Sequence, residues 1–235
     1  MDTLLVERLA DRWRTDLQEW AIPDEIVRLA TAPPWAHPVA LFTVVGDVED
    51  SPSHRIAREA LPDHGSVLDV GCGGGRASFA LADRAGRVVG VDEQQGMLDA
   101  FSAGAAQRGL GHAEVLGIWP DARPQAPRCD VVVCHHVVFN VQSIVPFLRA
   151  LNDRARRRVV IEMPFQHPMS NLNPLWEKFW GLTRPTAPTA DDLIAICAAL
   201  GFPVQSERWA DARFGARVDV TDHERVLGVT RRLCL

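Results

Sequence analysis

Apolar positions along this chain follow two rhythms. Between residues 66 and 163, short and almost wholly apolar runs alternate with segments of helical spacing; before residue 50 the helical spacing stands alone. Leu5, Leu9, Trp13, Leu17 and Trp20 predict a first amphipathic helix, and Pro23 with Asp24 opens a second that puts Ile26, Leu29 and Ala30 on one face. "TAPPWAHPVALF" (31–42) carries too many prolines for either regular state. After a turn at "DSPS", residues 53–61 read as a helix. Five strands follow: "SVLDV" (66–70), "RVVGVD" (87–92), "HAEVLG" (112–117), "CDVVVCHH" (129–136) and "RRVVIEM" (157–163). Helices fall between them, one behind the first strand with Ala77, Ala80 and Leu81 inward, one marked by Met97, Phe101 and Ala105, and one over 142–151.

Continuous apolar strands joined through helices imply a parallel sheet covered on both faces by right-handed crossovers, which is an α/β, doubly wound, mostly parallel architecture. In such a sheet a ligand belongs at the carboxyl ends of the strands. "TADDLIAICAALGF" (189–202) is a helix with Thr189 as its cap and Gly201 as its stop, "PVQSERWA" (203–210) reads as a sixth strand, and residues 220–235 as a terminal helix. No seventh strand is legible. The expected organisation is a helical N-terminal extension or lid over residues 1–50 and a ligand-binding domain over 51–235.

Composition narrows the classes. A chain of 235 residues, 47% hydrophobic and 23% charged, is sized for one α/β domain. Its net charge of −5 argues against a nucleic-acid footprint, and the basic run Arg154, Arg156, Arg157 and Arg158 reads as a solvated helix end feeding a strand. No apolar stretch is long enough to span a membrane, and the N-terminus has no signal-peptide pattern. Five cysteines without C-x-x-C spacing read as the reduced thiols of a cytoplasmic protein. Tyrosine is absent, which excludes any mechanism that needs its phenol.

The densest chemical signal is "VLDVGCGGGRAS" (67–78), where four glycines crowd behind Asp69 at a strand-to-helix corner. Glycines admit positive φ and close approach of a ligand to backbone, and the helix start offers free N–H groups, so the corner is read as a cofactor cradle. A dinucleotide fingerprint requires G-x-G-x-x-G; counted from Gly71 the third glycine falls on Arg76, and from Gly73 it falls on Ser78. A nicotinamide-dependent oxidoreductase is therefore disfavoured. "LDVGCGGGRASFALA" instead resembles motif I of the class I S-adenosylmethionine-dependent methyltransferases, and residues 53–165 share the family's pattern of a Rossmann-like fold.

The resemblance implies S-adenosylmethionine as cofactor. Asp69, Gly71, Cys72 and Gly73 would meet its amino-acid half. Asp92, with Glu93 beside it, would hold the ribose hydroxyls, and Met97 would flank the adenine. Many family members carry an acid after the third strand; here Ile118 and Trp119 stand there, implying a backbone contact and an aromatic wall. His135 would lend backbone to the cofactor.

At the end of the fourth strand His136 is a candidate general base, because imidazole titrates near neutrality, and Asn140 a candidate for orienting substrate. Trp35, Phe42 and Trp176 lie in aromatic-rich flanks that would enclose a mostly apolar acceptor pocket. No metal is expected: His135 and His136 are adjacent and face opposite ways, and nothing in the spacing brings Glu162 or His167 to them. The reading is therefore a methyltransferase acting on a small molecule at O, N or C. The alternative is an S-adenosylmethionine-binding regulator or catalytically silent protein. No nucleic acid or membrane partner is expected, and an uncovered strand edge after residue 210 would invite a homodimer.

Overall fold

The computed structural model of the chain describes residues 2–34, 39–210 and 221–235. Helices α1 (Thr3–Gln18), α2 (Asp24–Val27) and α3 (Pro52–Ala60) precede β1 (Gly65–Val70). The alternating part continues with α4 (Arg76–Phe79), β2 (Ala85–Asp92), α5 (Gln95–Gln107), β3 (Gly111–Leu116), β4 (Cys129–His135), α6 (Ile144–Arg154) and β5 (Ala155–Glu162). Helices α7 (Asn173–Trp180), α8 (Ala190–Ala199) and α9 (Asp222–Arg232) follow. The strands form one sheet in the order β3-β2-β1-β4-β5, every neighbouring pair parallel. The order reverses between β1 and β4, which opens the crevice at their carboxyl ends.

Alternation along the strands divides the core. Leu68, Val70, Val89, Val91 and Val132 face one apolar layer together with α1, α6 and α8. Val67, Val88, Val131 and Val133 face the other, made with α3 and α5. Asp69 shares the parity of Val67 and so points toward α4. The first helix does more than precede the sheet. Trp13 is 1% exposed within the first layer, and its ring N–H donates to Val141 O over 2.8 Å. Past the end of α1, Arg184 donates to the carbonyls of Trp20 and Ala21 and lies over the rings of Trp20 and Trp176. A cation placed on such carbonyls is held without a carboxylate partner.

Two expectations change. Helix α4 is a single turn, although Ala77, Ala80 and Leu81 are buried as read. The chain must enter β2 at Ala85, and the Ala85 N–H is already committed to Leu81 O at 2.8 Å. The sixth strand is absent: residues 203–210 take no regular structure and pair with no strand, so among the described residues β5 is the sheet's edge. The segment 203–210 opens on Pro203 and carries four polar residues in succession, Gln205 to Arg208, between its apolar ends, so it has no apolar face to bury as a strand. The edge expected beyond residue 210 begins with residues 211–220, outside the described residues.

Candidate active site

The glycine turn is built mainly against the chain's own atoms. Gly71, Gly73 and Gly75 have φ of +72°, +49° and +89°. A Cβ on Gly71 would fall 2.4 Å from Val137 Cγ2, one on Gly74 would fall 2.1 Å from the carbonyl oxygen of Phe42, and one on Gly75 would strike the Phe79 ring. Gly73 alone of these four keeps ordinary space, its nearest neighbour being Phe42 Cβ at 3.7 Å. The sequence suggested ligand approach as the reason for all four glycines. For Gly71, Gly74 and Gly75 the reason is internal packing, whereas at Gly73 the positive φ is the only demand that favours glycine.

Asp69 fastens the turn from below. It is 1% exposed, and its Oδ2 accepts from Ser78 N at 3.2 Å and from Ser78 Oγ at 2.6 Å. Burial pushes its carboxyl up to about 7, against the opposing pull of those two Ser78 hydrogen bonds. A carboxyl whose pKa is raised on folding favours the folded state while protonated, and that contribution is lost as pH rises from about 4 through about 7. Asp69→Asn keeps an acceptor for Ser78 without the charge. The melting temperature of the variant relative to the parent is expected to rise between pH 5 and pH 8; a difference that is flat with pH would contradict the buried charge.

Asp92 closes β2 and reaches across to the turn. Its Oδ2 accepts from Gly73 N at 3.0 Å and its Oδ1 from Gln94 N at 3.0 Å. A carboxylate oxygen has two lone-pair sites, so each oxygen retains capacity for one more donor, which is what a vicinal diol requires. Glu93 beside it is exposed. Cys72 is buried with its thiol pushed far up by burial, and a Cβ on Gly90 would lie 2.8 Å from its Sγ, so its side chain serves the core. Met97 is buried on the first turn of α5. Trp119 is also in the core, its ring N–H directed at Phe147 O, while Ile118 is 63% exposed. The exposed wall of that corner is therefore aliphatic, not aromatic.

Beyond β4 the chain makes a feature that the sequence showed only in part. His136 has φ of +60°, a left-handed conformation that costs a non-glycine residue energy. It is clasped twice by Glu162 at the end of β5: the His136 N–H donates to Glu162 O over 2.7 Å, and His136 Nε2 lies 3.0 Å from Glu162 Oε1. The hydroxyls of Ser51 and Ser53, at the start of α3, both donate to Glu162 Oε2, that of Ser51 over 3.3 Å. Burial alone would push this carboxyl up, but the His136 hydrogen bond, the neighbouring His135 ring and the Ser53 hydroxyl outweigh it and hold it well below the usual carboxylate range. His135 stacks on His54 with ring centroids 5.5 Å apart. Burial drives its pKa down to about 3 despite the attraction of Glu162, so it is neutral.

The other expected site residues are scattered. Asn140 is exposed at the end of the short 3₁₀ turn Val138–Asn140. Phe42 is 40% exposed and lies against the glycine turn, which brings the 39–43 segment directly over it. Trp176 is 3% exposed in a separate apolar cluster with Ile26, Leu172 and Leu233, away from any open surface. Trp35 lies outside the described residues. Among the described residues no three His, Cys, Asp or Glu side chains are grouped to hold a metal ion, and no helix is long and apolar enough to cross a membrane. A cleft of roughly 1420 Å³ runs along β5 and is lined at one end by His136, Glu162 and Ser53, with Phe165 and Leu193 further along.

Comparison with known proteins gives a match over part of the chain. Residues 67–158 match the family described as "Methyltransferase domain". Over this segment the chain resembles the class I S-adenosylmethionine-dependent methyltransferases. The chain is 36% identical over 86 residues to a ubiquinone biosynthesis O-methyltransferase of Leptothrix cholodnii, covering 36% of this chain and 37% of that protein. It is 46% identical over 70 residues to the nocamycin O-methyltransferase of Saccharothrix syringae, covering 28% of this chain and 25% of that protein. The matches thus span between a quarter and little more than a third of the length of these curated relatives. In fold, it resembles the magnesium protoporphyrin IX methyltransferase of Synechocystis PCC 6803, solved with bound SAH, with a TM-score of 0.52 and 19% identity over 72% of this chain and 85% of that one.

Proposed function

We propose that the methyltransferase domain transfers a methyl group from S-adenosylmethionine to the hydroxyl of a small organic acceptor. The observation that carries this reading is the placement of His136. It is gripped by Glu162, and the next residue, Val137, packs on Gly71 of the glycine turn, so an imidazole ring stands where the two halves of the crevice meet. The O-methyltransferase relatives favour oxygen over nitrogen or carbon as the accepting atom.

The residues present suit the cofactor. Asp92 has a lone-pair site on each oxygen for the ribose diol, the turn at Gly73 lies beside the amino-acid half, and Ile118 with buried Met97 flanks the base. When bound, the cofactor supplies an electrophilic methyl carbon. The protein's part is alignment and the removal of one proton: His136 takes it from the acceptor hydroxyl, while Asn140 and Phe42 border the space in which the acceptor lies. The cleft along β5 is the approach we assign to the acceptor.

Titration calorimetry with S-adenosylhomocysteine tests the cofactor assignment. Asp92→Ala is expected to weaken binding by about 1–3 kcal/mol, the range for a lost buried hydrogen-bonding partner. Unchanged affinity would remove Asp92 from the ribose. NADH is expected to leave the melting temperature unmoved, and a shift with NADH alone would overturn the reading.

A further inference from the structure

Glu162 ends β5 in a position that no sequence motif marks. It is 12% exposed in its side chain, is held ionised, and spends its two oxygens on different partners: Oε1 on the His136 ring and Oε2 on the hydroxyls of Ser51 and Ser53. Ser51 is also the N-cap of α3, its Oγ accepting from His54 N at 3.2 Å. The carboxylate is therefore oriented by a helix start on one side while it holds an imidazole on the other.

We propose that Glu162 is the positioning residue for His136, setting its tautomer and its ring orientation. An ionised carboxylate can only accept, so the contact at Oε1 obliges Nε2 to carry the proton. In the neutral ring the basic lone pair is then on Nδ1. The second clasp, from the His136 N–H to Glu162 O, keeps the backbone in its left-handed conformation and prevents the ring from leaving by rotation of the chain. When Nδ1 receives a proton, the imidazolium forms beside a negative charge already in place, which lowers the cost of that step without reorganisation. The neighbouring His135 does not compete for this role, because its buried ring stays neutral and its Nδ1 is 3.9 Å from Glu162 Oε2, beyond a hydrogen bond.

The use of this arrangement in methyl transfer rests on the function proposed above, but the tautomer is measurable without substrate or cofactor. In protein labelled with ¹⁵N-histidine, the His136 resonances are assigned by their disappearance in His136→Gln. The wild-type ring in its neutral form is expected to show its proton on Nε2. Glu162→Leu, which removes the acceptor, is expected to give a mixture of both tautomers. A wild-type ring protonated on Nδ1, or a Glu162→Leu spectrum identical to wild type, would overturn the proposal. Should Glu162→Leu fail to fold, Glu162→Gln decides: it preserves the shape, and its kcat toward an acceptor found in a phenol panel is expected to fall at least about tenfold with KM and S-adenosylhomocysteine affinity unchanged. An unchanged kcat in that variant would equally count against Glu162. Failure of the protein to bind S-adenosylhomocysteine, with the Nε2 tautomer intact, would instead overturn the function and leave the positioning role standing.

Discussion

Turnover of His136→Ala is expected to fall by about 10²–10⁴-fold with the affinity for S-adenosylhomocysteine unchanged, the span of effect of a lost general base. The large figure follows from what the protein invests in this residue. A histidine at φ +60° is held there by two contacts to one partner, and truncation removes the side-chain contact while the backbone contact to Glu162 O survives. The local fold is therefore expected to persist, so that a loss of rate reports chemistry and not collapse. Steady-state transfer of a labelled methyl group to an acceptor found in a phenol panel gives kcat, and calorimetry gives cofactor affinity. A variant that turns over at the wild-type rate would leave His136 as a loop residue whose hydrogen bond merely secures the end of β5.

Gly71→Ala is expected to cost about 2–5 kcal/mol of stability, combining roughly 1–2 kcal/mol for forcing a side chain into left-handed backbone with about 1–3 kcal/mol for overpacking. The added Cβ would sit 2.4 Å from Val137 Cγ2, and the Gly71 N–H is tied to Val91 O at 2.8 Å, so the turn cannot simply back away. Denaturant unfolding measures the loss. The double variant Gly71→Ala with Val137→Ala separates the two causes: the steric share is recovered and the backbone share remains. Full recovery would show that φ at this position costs nothing, and no recovery would show that Val137 is not the obstacle. The same substitution is expected to weaken the cofactor turn, because Val137 is the link between Gly71 and the His136 clasp.

Much of the fold was legible because local signals and tertiary demand agree there. The strands read at 66–70, 87–92 and 129–136 are almost wholly apolar runs since both faces of a parallel sheet are covered, and each was placed to within two residues of its observed bounds. Residues 203–210 misled because a short segment with apolar ends can pair or stand exposed, and nothing within it records whether a neighbour is present. Trp119 and Trp176 misled in another way. A tryptophan in an aromatic-rich flank fits a ligand wall as well as a core, and only packing places these two in apolar clusters.

By itself the sequence determined the chemistry of the corner and of the sheet: glycine spacing chose between cofactor classes because positive φ and the absence of a Cβ are properties of single residues. It also placed Asp92 at a strand end, since strand length and corner spacing are both local. Only the tertiary structure decided why Gly71 and Gly74 are needed, because the obstructing atoms come from Val137 and Phe42, far away in sequence. The partnership of His136 with Glu162 is of the same kind. The two residues lie 26 positions apart, and it is the parallel pairing of β4 with β5, setting His135 opposite Glu162, that brings an imidazole and a carboxylate together.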